Sequence, residues 1–599
     1  MNKLACEPSA DSICKFFSGL VRGKKAWFWF FIIIFILYFQ TIFFSFSPMD
    51  DPGLIEKRMS LLQNWGHAKD IFTYRLDMAK TALLYRPILE LTFMIDATLG
   101  KGSPWMFHLS NVVIFFISMI LIFNLYIALK IPRVTAFACT IILMVHPLNV
   151  SVASWIPARN DSLLAIMLIG TLLSYFAYLR NYSSWWLGIH YLMFGLSLFT
   201  KENAVVIPFI ILAYHGLAFR RKVPGIKLKA GIWGMIMLFW VWMRHSPQGD
   251  FIQLPIRDNI IYNTISTLNF YIGKFFYPVH PSVMPNLQDT NMIPIIVTVT
   301  IFLGVLIFMK KRDSGLALWG LVFFISVLII PLLWGTVLGL SVPYEHRMFI
   351  PAVGLIISMT QLEIPRYFLR FRYHLMILVI LLIVLLGTKT YFRAKVFENK
   401  NTYSFTAVSE SPSLWQVYAI RADALTTQNY LFSAAEYYSK AIDLIPLIDK
   451  HELYYARGNC YQKMGYAEAA LEDYGKYISQ HPDFKDVYIN RAIIYRDHQD
   501  YQSAIADLTI AISLDSNDAV LFNERGFCFQ KLKEYLQSIE DFNVGLALNP
   551  ENKNIINNRS VSYFMMGECE SAKAGITLIE SLEGSVHPDF KRTVYEKCQ

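Results

Sequence analysis

Up to about residue 395 the apolar residues fall into long, nearly unbroken runs; beyond it they form short periodic clusters, so two kinds of structure follow one another along the chain. Runs near the roughly twenty residues that carry a helix across a bilayer lie at 27–47, 107–129, 134–149, 162–179, 185–199, 203–219, 230–243, 291–309, 315–339, 348–362 and 373–391. That makes about eleven candidate spans. A patch at 260–277 differs: Asn263, Thr264, Ser266 and Asn269, with Asn259 just before it, sit at near-helical spacing and suit an interfacial or re-entrant helix. After the first run comes a polar loop, 48–106, in which Arg86-Pro87 opens an amphipathic helix with Glu90 at its edge.

The periodic third repeats with a fixed step. Arg457, Arg491, Arg525 and Arg559 recur every 34 residues, and so do Tyr461, Tyr495, Phe529 and Tyr563, and Asp473, Asp507 and Asp541. Gly458, Ala492 and Gly526 stand beside the arginines, and Pro446 and Pro482 close two earlier units. A 34-residue period with small residues beside a recurring aromatic is the signature of tetratricopeptide repeats. A further unit around Arg421 lies 36 residues upstream, giving about five helical hairpins over 413–585 and a tail at 586–599. Stacked hairpins form an α-solenoid with a concave binding surface. Cys460 and Cys528 share one repeat position, which suits a small buried side chain.

Composition turns the long runs into a membrane domain. With 55% hydrophobic and only 17% charged residues over 599 positions, the chain is too apolar for one soluble domain, and its 45 Phe and 33 Tyr suit lipid-facing and interfacial helices. The net charge of +9 does not point to nucleic acid, because Lys and Arg are scattered at the ends of apolar runs rather than massed on one face. They act as orientation signals. Lys15, Arg22, Lys24 and Lys25 place residues 1–26 in the cytoplasm, with the first run as an uncleaved anchor. Lys130 with Arg133, Arg180, the Arg220–Lys229 cluster, Lys310–Arg312, and Arg366, Arg370 and Arg372 then all fall inside, provided that 244–290 stays outside. An odd number of spans follows, which puts both the loop at 48–106 and the repeats outside. Seven cysteines without a C-x-x-C pair argue against zinc and against a dense disulfide framework. There is no phosphate-binding or dinucleotide-binding glycine pattern and no H-E-x-x-H. An enzyme facing outward, where nucleotide sugars and ATP are absent, needs a lipid-carried donor.

Five stretches and their order carry a resemblance: "YRPILELTF" (85–93), "FHLSNVV" (107–113), "VHPLNVSVASWIPARNDSLLA" (145–165), "FTKENAVVIP" (199–208) and "YEHRMFIPAVGL" (344–355), followed by the repeats. Together they resemble the transmembrane and tetratricopeptide-repeat-containing O-mannosyltransferases and their bacterial relatives, of the GT-C class of integral-membrane glycosyltransferases. The resemblance implies an all-α fold, a multi-pass GT-C-type domain at 27–395 followed by an extracytoplasmic repeat solenoid. It also implies a polyprenyl-phosphate sugar donor and an acidic pair in the first extracytoplasmic loop, which Asp50-Asp51 matches in position and kind. The family's E-R-Y-L-Y-L-P segment reads Glu345-His346-Arg347-Met348-Phe349-Ile350-Pro351 here, keeping Glu and Pro but not the middle.

Chemistry asks for the same residue types. Transfer of mannose or a similar hexose to a Ser or Thr hydroxyl needs a carboxylate to take the proton, and two adjacent carboxylates can divide the work of base and positioning partner; the resemblance implies Asp50 as the base and Asp51 as its partner, with the reverse order left open. A single displacement inverts the anomeric carbon. The departing phosphate needs a cation, for which Arg86, Arg159, Lys201 and Arg347 are the outward-facing candidates. His146, Asp161, Glu202, Glu345 and His346 are further site candidates. Each has a plainer reading: Arg159 with Asp161 and Lys201 with Glu202 as local ion pairs, His146-Pro147 as a helix end, and Asp50-Asp51 as a solvated loop start. No cofactor beyond the lipid-linked donor is expected, and a divalent metal at the acid pair stays open. The expected partners are membrane lipid, the donor and an acceptor or partner protein on the repeats. Rival readings are a non-enzymatic repeat scaffold for envelope assembly and a ligase or transporter of lipid-linked saccharide; for a transporter the spans carry too few ionisable residues. The setting that fits best is a bacterial inner membrane with periplasmic repeats, and an endoplasmic-reticulum membrane with lumenal repeats shares the topology.

Overall fold

A computed structural model of the chain describes residues 24–49, 51–73, 85–220, 224–244, 260–337, 343–363, 371–445 and 450–598. Asp50, Pro446, Lys15, Arg22, Asn259, Arg366 and Arg370 lie outside them. The chain divides into two compact units, Met1–Ser413 and Leu414–Gln599. Both are helical, and the described residues contain no strand, only an isolated bridge between Lys311 and Leu362.

In the first unit each of the eleven apolar runs is a helix, from Lys24–Tyr38 through Pro104–Ala128 and Arg159–Asn181 to Arg372–Ala394. Among the described residues seven helices are long and apolar enough to cross a membrane, and eight if Arg133–Val145 and Pro147–Ser154, bent by 60° at His146, form one broken span. Ser184–Thr200 and Met292–Phe308, with 17 residues each, stand at the lower end of the roughly 17–25 that cross a bilayer, whereas Phe349–Thr360 has 12. The Phe349–Thr360 helix is buried along nearly its whole length, so it is a core helix of the bundle. It meets the Ser314–Val337 helix backbone to backbone: a Cβ on Gly320 would lie 2.6 Å from the Gly354 carbonyl, and one on Gly354 would lie 2.6 Å from that of Gly320. Small residues allow this approach where no hydrophobic effect drives helices together. The ambiguous patch is the Ile260–Phe276 helix.

After the first helix the chain breaks into short turns, Asp51–Leu54, Glu56–Arg58, Met59–Leu62, Trp65–His67 and Ala68–Thr73. The amphipathic helix predicted after Arg86 runs Pro87–Leu99, with proline at its first position, where the missing N–H is no loss. Arg58 clamps Glu90 from above at 2.6 Å, tying turn to helix.

The second unit is five helical hairpins, from Trp415–Thr427 with Leu431–Leu444 to Lys553–Met565 with Cys569–Ser581, closed by a helix at Pro588–Lys597. The recurring arginines and aspartates prove to be partners. Arg457 with Asp473, Arg491 with Asp507 and Arg525 with Asp541 each form two parallel hydrogen bonds of 2.7 to 2.8 Å across one hairpin. Each guanidinium also lies 5.6 to 6.0 Å from the recurring ring of Tyr461, Tyr495 or Phe529. In the last hairpin the aspartate position is Gly575, and Arg559 reaches back instead to Asn543. There a disulfide, Cys569–Cys598, joins the final hairpin to the closing helix. Cys460 and Cys528 are fully buried. Asp507→Asn removes one charge of a half-buried bidentate pair, and charged hydrogen bonds contribute about 1.5–3 kcal/mol. The denaturation midpoint of the repeat transition is expected to fall accordingly, while an exposed control such as Glu468→Gln leaves it unchanged.

Candidate active site

Four segments far apart in sequence supply the charged candidates of the membrane unit. The turn Ile156–Ala158 feeds the Arg159–Asn181 helix, whose first turn carries Arg159, Asn160 and Asp161. A second turn, Glu202–Val206, follows Lys201, which stands in extended backbone. Arg86 occupies the position before the Pro87 helix, and Glu345–Met348 forms the turn before Phe349.

Their pairing is long-range throughout. Arg86 grips Glu202 with both ends of its guanidinium, at 2.7 and 3.2 Å. Lys201 Nζ donates to Asp161 Oδ1 at 2.7 Å and to Asn160 Oδ1 at 3.2 Å. Arg159 turns away from Asp161 and pairs with Asp96 at 2.5 Å. The two local pairs read from sequence, Arg159 with Asp161 and Lys201 with Glu202, are thus replaced by three nonlocal ones. Arg159 is fully buried; it also donates to Asn111 Oδ1, Thr92 Oγ1 and the Phe107 carbonyl and lies over the Phe93 ring at 5.1 Å. With Nε and both terminal nitrogens engaged, it holds these segments together rather than offering a free cation to a ligand.

His346 joins the cluster from the other side. Its Nε2 lies 3.8 Å from Asp161 Oδ2, and Lys201, Arg347 and Arg86 all stand within electrostatic reach. Burial holds this imidazole down at about 3, so at neutral pH it is uncharged and its approach to Asp161 is no ion pair. Next to it, Arg347 packs over the Tyr344 ring at 5.4 Å, and its Nη1 is buried with no hydrogen-bond partner among the described residues. Glu345 accepts the Ser282 N–H at 2.9 Å, and Lys274 Nζ stands 3.9 Å away. Burial pushes the Glu345 carboxyl up to about 7 despite that lysine.

Asp51 opens the short helix after the first span. It is fully buried, and its Oδ2 accepts the Ser47 N–H at 2.6 Å. Its charge lies within electrostatic reach of Arg159. His146 sits at the 60° bend, where Nε2 donates to the Phe275 carbonyl at 2.9 Å, Nδ1 accepts the Leu148 N–H at 3.2 Å, and the ring stacks on Phe275. Both ring nitrogens serve the bend. The structure therefore gathers Arg86, Asp161, Lys201, Glu202, His346 and Arg347 into one cluster, with Glu345 beside it, and sets Asp51 and Arg159 on an adjoining buried network. Sequence reasoning missed Asp96, Lys274 and Asn160. An isolated aspartate inside "LTFMIDATLG" was a usable signal, since a buried carboxylate almost always has a partner. Among the described residues no group of three or more His, Cys, Asp or Glu is placed to hold a metal ion.

Comparison with known proteins adds three likenesses. The tetratricopeptide repeat family matches residues 451–484. Protein O-mannosyl-transferase TMTC2 of Homo sapiens is 24% identical over 270 residues, 40% of this chain and 32% of that protein. The Mus musculus protein of the same name is 27% identical over 195 residues, 31% of this chain and 23% of its own. The chain thus matches a third or less of the length of these relatives. Among solved structures, MamA (19% identity, TM-score 0.26, 28% of this chain and 96% of that one) and YrrB, a repeat protein with an unusual peptide-binding site (19%, 0.29, 33% and 98%), are similar.

Proposed function

We propose that the chain is an integral-membrane transferase that moves a hexose, mannose or a close relative, from a polyprenyl-phosphate to Ser or Thr hydroxyls of an extracytoplasmic protein. The observation that carries this reading is the buried, unpartnered Arg347 Nη1 within a cluster that also holds Lys201 and Arg86. An uncompensated buried guanidinium nitrogen is costly, and a phosphate oxygen is the ligand that suits it. The partial likeness to protein O-mannosyl-transferases supports the reaction class.

In this reading the acceptor Oγ attacks the anomeric carbon while its proton passes to the Asp50 carboxylate. The bond from that carbon to the phosphate oxygen breaks on the opposite face, and the polyprenyl phosphate leaves with both electrons. Arg347 and Lys201 meet the growing negative charge. Arg86 and Arg159 act through their partners, Arg86 by fixing Glu202 beside Lys201 and Arg159 by fixing Thr92, Asn111 and Asp96. The repeats offer a surface for an acceptor or partner protein, as such repeats do generally.

The Cys569–Cys598 disulfide supports placing the repeats on an oxidising side of the membrane, as the distribution of basic residues does. Cysteines introduced at Gly53 and Glu468 are expected to react with an impermeant thiol reagent from outside and one at Lys227 to stay protected; the reverse pattern contradicts the topology. The function itself is tested by glycopeptide mass spectrometry of wild-type and deletion cells. Loss of hexose from Ser or Thr peptides supports the transferase, and an unchanged glycopeptide set favours the scaffold.

A further inference from the structure

Beside the cationic cluster the membrane unit has a small recess of about 20 Å³, walled in part by Trp155, Tyr344, Glu345, His346, Arg393 and Tyr403. Three features define its chemistry. First, the rings of Trp155, Tyr344 and His346 pack together with centroids 5.3 to 6.0 Å apart, an apolar wall. Second, the Trp155 indole N–H is buried with no hydrogen-bond partner among the described residues, although Trp155 itself is only 6% exposed. A buried donor left unmade costs about 1–3 kcal/mol until a ligand oxygen satisfies it. Third, the Glu345 carboxyl faces the Ser282 N–H and Lys274, while Arg393 is held by Glu410 through both guanidinium ends, so the polar wall is fixed rather than mobile.

The position of the recess matters as much as its lining. At one wall His346 approaches Asp161, the partner of Lys201. Tyr403, also in its wall, donates its hydroxyl to the sulfur of Met49, two residues before Asp51. The recess thus adjoins both the Asp161–Lys201 pair and Met49. An indole N–H, a carboxyl and a neutral imidazole suit the hydroxyls on one edge of a sugar.

We propose that this recess is the subsite for one edge of the transferred sugar, with Trp155 donating its indole N–H to a sugar hydroxyl and Glu345 holding another. It rests on the reading of the chain as a transferase using a polyprenyl-phosphate hexose. The recess recognises the hexose and leaves the phosphate to Arg347 and Lys201, so binding energy divides between two lipids that differ only in the sugar.

The test measures, on the full-length protein in nanodiscs, the affinities of polyprenyl phosphate and of polyprenyl-phosphate mannose for wild type, Trp155→Phe and Glu345→Gln. Phenylalanine keeps an aromatic wall and removes the N–H; glutamine keeps an acceptor for Ser282. Each variant is expected to bind the sugar-free lipid within about twofold of wild type and to lose roughly tenfold for the mannosyl lipid, the equivalent of about one hydrogen bond. If wild type binds both lipids and both variants keep the wild-type preference for the mannosyl form, or lose the two lipids equally, the sugar subsite is overturned while the transferase reading stands. A wild-type protein that binds neither lipid overturns that reading and this inference with it.

Discussion

Asp50→Asn is expected to slow sugar transfer by roughly 10²–10⁴-fold, the range attributed to general-base catalysis, with insertion and donor binding unchanged. Asparagine keeps size and most hydrogen bonding but cannot accept the acceptor's proton. Asp51→Asn is expected to cost less, because an amide oxygen still accepts the Ser47 N–H. What it loses is a negative charge within reach of Arg159, and with it the like-charge influence on a neighbouring carboxylate. Single-turnover rates on purified, correctly inserted variants check both. Near-wild-type rates for both variants contradict an acid-pair mechanism, and a larger loss for Asp51→Asn exchanges the two roles.

The second large effect falls on stability. Arg159→Met leaves Asp96, 1% exposed, without its countercharge in a site that also buries Thr92 and Asn111 contacts. Removing one partner of a buried pair typically costs about 3–5 kcal/mol. Thermal unfolding in detergent is expected to shift down strongly for Arg159→Met and to recover in Arg159→Met with Asp96→Leu, since replacing a whole buried pair by apolar side chains is often neutral. A single variant as stable as wild type means that Asp96 is protonated or solvated there. A double variant no better than the single one assigns the loss to the Asn111, Thr92 and Phe107 contacts.

Much of the second unit was legible because its information is periodic. A 34-residue step in Arg and another in Asp needed only the geometry of a hairpin to become the Arg457–Asp473, Arg491–Asp507 and Arg525–Asp541 pairs. What broke the period was not legible. Gly575 in place of the fourth aspartate and the disulfide between Cys569 and Cys598 sit where no C-x-x-C spacing announces a bond, and closing that 29-residue separation depends on where the last helix folds back.

In the membrane unit the helices were legible from apolar runs, but their capacity to span was not, because a run of 12 to 17 apolar residues reads alike in a core helix and in a short span. The candidate cluster shows the same division. Arg86, Lys201, Asp161 and His346 were singled out individually, yet the two pairs read from sequence, Arg159 with Asp161 and Lys201 with Glu202, were misassigned, because neighbours in sequence need not be neighbours at a helix start. Asp161 stands two residues from Arg159 and pairs with Lys201, 40 residues on. Pairing is decided by which segments the bundle brings together, and single-sequence patterns do not carry that.

The most direct measurement is transfer itself: full-length protein in nanodiscs, polyprenyl-phosphate mannose as donor, and a Ser/Thr-containing extracytoplasmic polypeptide as acceptor, followed by intact mass. An acceptor heavier by one hexose, with stoichiometric release of polyprenyl phosphate and inverted configuration at the new linkage, is the predicted result. An acceptor of unchanged mass, from protein that is folded and binds the lipid, would contradict it.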